Sequence, residues 1–305
     1  MKPPIFLFLF LIPLLGFSQT STLAERLGYS KDDKLLIIHA DDLGVSHSEN
    51  HASFTAMENG LVSSASLIVP SPWFLEVAEY KRTHPETDIG IHLALTSEWD
   101  NYKWRPVTEA PSLVDSNGYF YDNCDDLGNN ATYEDVEKEL RAQIDLSIAN
   151  GIAPSHLDIH MGCLVFSELK YFKLYLQLGR EYNIPVMVTS RGLAPEYEAQ
   201  ITEKDIVLDN VYGASPQDFD EEGGLAKRYK TIIRELKPSV GALIIHTAYN
   251  DSEMQQITIN NKYWGAKWRQ DDFDFFTSDQ CKTILEEENI KLISWKEIKD
   301  KLLKE

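Results

Sequence analysis

Positive charge is scarce in this sequence. Its 305 residues carry 29 Lys and Arg against 48 Asp and Glu, a formal net charge of −19. Such a surface repels phosphate backbones and anionic bilayers, so no nucleic acid and no membrane surface is expected as a partner. Cysteine is nearly absent as well. Cys124, Cys163 and Cys281 are an odd set, so at least one thiol is free. Their spacing matches neither a disulfide scaffold nor a zinc knuckle. Beyond the first 20 residues no apolar run approaches the roughly 20 residues a bilayer span needs. Internal repeats and low-complexity linkers are missing too, so 19–305 reads as a single domain.

The opening stretch is the one long apolar run. MKPPIFLFLFLIPLLGFSQT places Lys2 before Ile5–Phe17 and small or polar residues after it. That layout is expected of a secretory signal peptide over 1–18, giving an exported protein, periplasmic or secreted.

Downstream, short apolar runs alternate with longer amphipathic ones. Strands are expected at 35–40, 62–69, 89–95, 155–159, 184–188, 206–208, 241–246 and 290–293. Ser46 and Glu49 form a capping-box pattern before a helix ended by Gly60. Thr132 starts a helix stopped by Gly151, and 169–182 and 295–303 are helical. The stretch 96–131 interrupts this alternation with an aromatic-rich insertion holding Trp99, Tyr102, Trp104, Tyr119, Phe120 and Tyr121. Seven to eight strands separated by helices predict an α/β fold with a parallel sheet closed into a barrel. An open doubly wound sheet is the runner-up.

Polar residues gather at the ends of these apolar strands. LLIIHA runs into Asp41 and Asp42, IGIHLALT carries His92, HLDIH holds His156, Asp158 and His160, and GALIIH ends in His246. In a parallel barrel the carboxyl ends of the strands open on one face, where active sites sit. Two adjacent carboxylates in one mouth repel, and a cation or a proton relieves them. One carboxylate with two imidazoles makes a three-ligand set that leaves positions open. A divalent ion held so acidifies water and polarises a carbonyl. A spare carboxylate can then serve as base and a facing histidine as acid.

These motifs resemble the YdjC-like family of carbohydrate deacetylases, which includes chitooligosaccharide deacetylases. The resemblance rests on Ala40-Asp41-Asp42-Leu43-Gly44 with Ser46 and Asn50, on Gly90-Ile91-His92-Leu93-Ala94-Leu95-Thr96, on His156-Leu157-Asp158-Ile159-His160, and on His246. It implies a distorted (β/α) barrel of the polysaccharide deacetylase type. It also implies Asp42, His92 and His160 as ligands of a divalent metal (magnesium or zinc), Asp41 as general base and His246 as general acid. The implied substrate is an N-acetylated mono- or oligosaccharide that releases acetate. An O-acetyl ester substrate, or a non-catalytic glycan-binding protein on the same fold, are the rival readings. The chain departs from the pattern at Met161-Gly162-Cys163, where relatives add histidines, and at Thr247, where relatives often carry proline.

Other side chains have blander expectations. His156 and Asp158 are expected to orient ligands or fill the barrel, and His39 to pack on the helix side. His47 and His51 lie on the first helix, and His84 on a surface turn. The insertion aromatics, with Trp264 and Trp268, can stack on sugar rings or simply pack. Arg191 and Arg269 are candidates for contacting substrate or orienting the base.

Overall fold

In the computed structural model, described here for residues 21–303 except 164, 167 and 190, seven parallel strands form one curled sheet. They are β1 (Lys34–Leu43), β2 (Ser64–Leu67), β3 (Ile89–Leu93), β4 (Leu157–Ile159), β5 (Asn210–Tyr212), β6 (Ser239–Ile245) and β7 (Ile290–Leu292). The order is β4-β3-β2-β1-β6-β5. One edge of β1 pairs with β6 over Lys34–Ala40; its other edge is shared by β7 and β2. Among the described residues, single bridges, Leu157 to Val186 and Thr189 to Leu208, span the gap between the two ends of the sheet. The result is the expected α/β distorted barrel. Of the two expected strands 184–188 and 206–208, the first contributes the bridge residue Val186, with Thr189 just past its end, and the second contributes Leu208; β5 begins two residues after the second.

Strand alternation divides the core. Leu35 and Ile37 of β1 meet Val240, Ala242, Ile206, Leu208 and Trp295 in one buried cluster, which plugs the bottom of the barrel. Leu36, Ile38 and Ala40 point the other way, into the larger cluster under the helices. Continuing the inward row upward gives His39 and Asp41 on β1, and Ile244 and His246 at the end of β6. The same parity puts His156, Asp158 and His160 on one side of β4.

Regular alternation would turn Asp42 away from Asp41. Instead the β1–β2 register slips between Ala40 and Leu43, and Asp42 adopts a left-handed φ of 72°. That conformation is costly for a residue with a Cβ. Its surroundings enforce it. Gly44 follows at φ 91°, where an added Cβ would collide with Ser71 and Leu67, and its N–H donates to Asn50 Oδ1 at 2.6 Å. Ser46 caps the helix His47–Asn59 by accepting from Glu49 N–H. The Gly, Ser and Asn of the first motif are therefore the scaffold of the bulge.

The insertion packs into the larger core cluster. Trp104, Leu113, Phe120 and Leu127 are buried, and a helix the sequence pattern did not show spans Cys124–Asn130. Cys124 at its start is bonded to Cys163, three positions after His160, while Cys281 is a buried free thiol. The bond closes a 39-residue separation, worth about 4 kcal/mol on the chain-entropy model. Reduction, or Cys124→Ser, should lower the unfolding free energy read from denaturant melts by an amount of that order; an unchanged unfolding curve would show that packing alone holds the insertion. Among the described residues, no helix is long and apolar enough to cross a membrane. The expected signal peptide lies outside the described residues.

Candidate metal centre and active site

The strand ends do converge. Asp42 Oδ1 lies 3.5 Å from His92 Nε2 and 3.4 Å from His160 Nδ1. All three side chains are buried, and their candidate ligand atoms fall within 4.8 Å of one another. His246 Nε2 stands 4.0 Å from the other Asp42 oxygen, and Asp41 Oδ2 is 3.8 Å from His92 Nε2. The five residues expected from sequence thus meet at one point.

Each imidazole has its remote nitrogen fixed. His92 Nδ1 bonds Asp158 Oδ1 at 2.8 Å, leaving Nε2 toward the centre. His160 Nε2 bonds Glu98 Oε2 at 2.9 Å, leaving Nδ1 toward the centre. A carboxylate behind each ring, setting which nitrogen is free, is how metal-binding histidines are usually held. Asp158 thus fills the orienting role expected of it. Glu98 was not anticipated; a carboxylate two residues beyond the His92 motif is a faint signal for it. Glu98→Gln should weaken metal affinity about 10–100-fold with little change in fold, read by titration against a chelating dye.

His39 corrects its expectation. It faces the barrel interior, where Nε2 bonds Asp158 Oδ2 at 2.9 Å and lies 3.0 Å from Asp41 Oδ1. Burial pulls this imidazole down, but Asp158 and Asp41 outweigh it and lift it to about 10. His156 packs, stacked on Trp295 at 5.1 Å, in space that a Cβ on Gly90 would occupy. This explains the glycine of the second motif. His47 pairs with Glu76, and neither it nor His51 lines the cavity at the centre.

Arg269 is the other residue the pattern underrated. It comes from the helix Ala266–Phe276, which the periodicity did not show, and is 1% exposed. Nη2 donates to Asp42 Oδ2 at 2.7 Å and Nη1 to Glu49 Oε2 at 2.8 Å. It orients a ligand rather than the base. Glu49 correspondingly does not close the capping box; its carboxylate is committed to this ion pair.

The electrostatics favour a cation. Burial pushes the Asp42 carboxyl up, yet Arg269 and His160 override it and hold it well below the usual carboxylate range. Despite burial, Glu98 and Asp42 carry His160 up to about 10, so without an ion this ring holds a proton that a bound cation would displace. Asp42 Oδ1 is buried and receives no hydrogen bond, while facing both free imidazole nitrogens. A divalent ion would satisfy it, and the one-carboxylate, two-imidazole donor set fits such an ion. On the far side, burial, with Arg269, pushes His246 down to about 4, so its ring is neutral at rest.

Above the centre lies a cavity of about 480 Å³, lined by Glu98, Trp99, Asn261, Tyr263 and Trp264 beside the residues above. Trp99 and Trp264 are therefore the expected aromatics that reach it. Trp104 and Trp268 are buried in packing, and Tyr102 donates to the Val45 carbonyl.

With this geometry in hand, the comparisons with known proteins are informative. The family model described as YdjC-like protein matches residues 35–287. The chain belongs to the YdjC-like family. A carbohydrate deacetylase of Thermus thermophilus is 37% identical over 179 residues, 57% of this chain and 62% of that protein. The match thus spans less than two thirds of that relative. A carbohydrate deacetylase of Geobacillus stearothermophilus is 28% identical over 263 residues, 86% of this chain and 96% of that one. Among solved structures, one from Enterococcus faecalis, assigned as a cellobiose-phosphate cleavage protein, gives a TM-score of 0.70 at 26% identity. It covers 86% of this chain and 98% of that one. This YdjC-like chain shares their fold across most of its length.

Proposed function

We propose that this YdjC-like protein is an exported, divalent-metal-dependent deacetylase that hydrolyses the N-acetyl amide of an acetylated mono- or oligosaccharide. The observation that carries the reading is the meeting of Asp42, His92 and His160 around the unpaired Asp42 Oδ1. The relatives described as carbohydrate deacetylases support the substrate class and the acetyl group. The Cys124–Cys163 bond supports an oxidising compartment, in keeping with export.

Asp42, His92 and His160 would hold the ion, magnesium or zinc. When bound, it supplies Lewis acidity to the acetyl carbonyl and to water. Asp41 is the base: it lies at the centre, is not needed as a ligand, and accepts the proton of the attacking water. His39 holds Asp41 from behind and ties it to Asp158. His246, on the opposite wall, serves the leaving nitrogen. It is neutral at rest, so the proton it passes to the amine is the one Asp41 has removed from water. The C–N bond breaks as water supplies its oxygen and two protons, so the products are acetate and the protonated amine and neither side chain keeps or loses a proton. Trp99, Tyr263 and Trp264 offer aromatic faces to a sugar ring, and Glu98 and Asn261 offer polar partners for its hydroxyls.

The test is acetate release from N-acetylated and O-acetylated sugars, with chelator and with added magnesium or zinc. Release from the amide substrates that stops in chelator and returns with metal is expected. Release from esters alone would replace the amide by an ester, and release unaffected by chelator would remove the metal.

A further inference from the structure

A second cavity, about 550 Å³, opens on the other side of Asp41. The two cavities share Asp41, His92 and Ile159, and their chemistry differs. The first has aromatic faces and polar groups suited to a sugar. The second is walled by Phe166, Val188, Leu193, Tyr197, Val211 and Ile244. Asp158, Thr189 and Arg191 also line it, but each is engaged: Asp158 by His39 and His92, Thr189 by the Asp209 carbonyl, and Arg191 by Asn210 Oδ1 at 2.6 Å. A sugar ring placed there would find few uncommitted partners for its hydroxyls.

The direction of the substrate follows from the proton path, and so rests on the amide-hydrolysis reading above. His246 lines the first cavity and not the second, whereas Asp41 lines both. The leaving nitrogen faces His246, so the sugar it carries sits in the aromatic cavity. The substituent on the carbonyl carbon then points past Asp41 into the apolar one. An acetyl methyl, roughly the 30 Å³ share of one water, would fill little of it. We propose that the apolar cavity is an acyl pocket, and that the site which removes acetyl also takes amino sugars bearing a short aliphatic N-acyl chain longer than acetyl, with higher kcat/KM. Hydrolysis is the same reaction: the C–N bond breaks, water adds its oxygen to the acyl carbon, and the products are an aliphatic carboxylate and the amine.

The experiment compares N-acetyl-, N-butyryl- and N-hexanoylglucosamine with the metal-loaded protein, measuring the released carboxylate. Each added methylene should raise kcat/KM about fourfold, the gain for burying one CH₂. Val211→Trp, which narrows the cavity from its partly exposed β5 wall, should cut the hexanoyl-to-acetyl ratio of kcat/KM at least about tenfold. Leu193→Asn, from a different wall, should shift the ratio the same way. Binding to the Asp41→Asn protein by calorimetry should tighten in the order acetyl, butyryl, hexanoyl. Acetate release with rates flat or falling along the series, or a ratio untouched by both substitutions, overturns the acyl pocket and leaves the deacetylase reading standing. Hydrolysis of none of the three overturns the reaction itself, and the pocket with it.

Discussion

Asp41→Asn is expected to lower kcat for acetate release by about 10²–10⁴-fold while the protein keeps its full complement of metal. His92→Ala is expected to lose both. The two outcomes differ because the two residues, though 3.8 Å apart, are held for different work. His92 Nε2 faces Asp42 Oδ1, and its Nδ1 is locked by Asp158, so removing the ring deletes a ligand. Asp41 reaches the centre on the inward row of β1, backed by His39, and an amide of the same shape preserves that packing while giving up the base. Metal content by elemental analysis, paired with acetate-release kinetics on each variant, reads both quantities. Full activity in Asp41→Asn would discard the base assignment. Stoichiometric metal in His92→Ala would show that the ion sits elsewhere, for which His39, His156 and Asp158 also lie within ligating reach of one another.

The sequence pattern shows the parts of this centre that obey strand periodicity. Asp41, His92, the row from His156 to His160, and His246 all sit where period-two alternation along apolar runs puts them, whereas His39, read as facing the helices, shares the inward row with Asp41. The helix 169–182 has the limits its amphipathic pattern predicts, and the helix Tyr133–Ala149 starts at its Thr132 cap. What the pattern hides is whatever breaks that period or depends on long-range pairing. The bulge at Asp42 is one case: two adjacent carboxylates can share a cavity only if one leaves the pleat, and the left-handed φ that does this is not written in residue type alone. The helix Ala266–Phe276 is another. Its buried face includes Arg269 and Asp272, so the polar residues that a hydrophobic period treats as surface are interior here. Asp272 accepts from the His246 N–H and the Tyr229 hydroxyl, partners 26 and 43 positions away. Burial pushes its carboxyl up to about 7. Glu49 is the third case. Its position matches a local cap, and only the arrival of Arg269 from 220 positions away shows that its carboxylate is used elsewhere.

Arg269→Met should therefore be the most damaging substitution to stability in the protein. The guanidinium bridges Asp42 and Glu49, and all three side chains are at most 2% exposed. Methionine keeps much of the volume but leaves two buried carboxylates facing each other without their cation. Breaking a buried ion pair in this way costs about 3–5 kcal/mol, far more than a surface pair. In a chain of this size that corresponds to a fall in melting temperature on the order of 10 °C. The loss should depend on metal. A divalent ion that takes Asp42 as ligand restores a positive partner to one of the two carboxylates, so the deficit should be larger in chelator than in added metal. Glu49 gains no such partner, but burial already pushes its carboxyl well above the usual range, so it sheds its charge by taking up a proton, and Glu49→Gln added to Arg269→Met should change the remaining loss little. Thermal melts of wild type and both variants, each in chelator and in metal, separate these contributions. Equal melting temperatures for wild type and Arg269→Met in chelator would mean that the bridge adds nothing to the fold. A deficit insensitive to metal would mean that the ion does not use Asp42, and the ligand set drawn from β1, β3 and β4 would have to be redrawn.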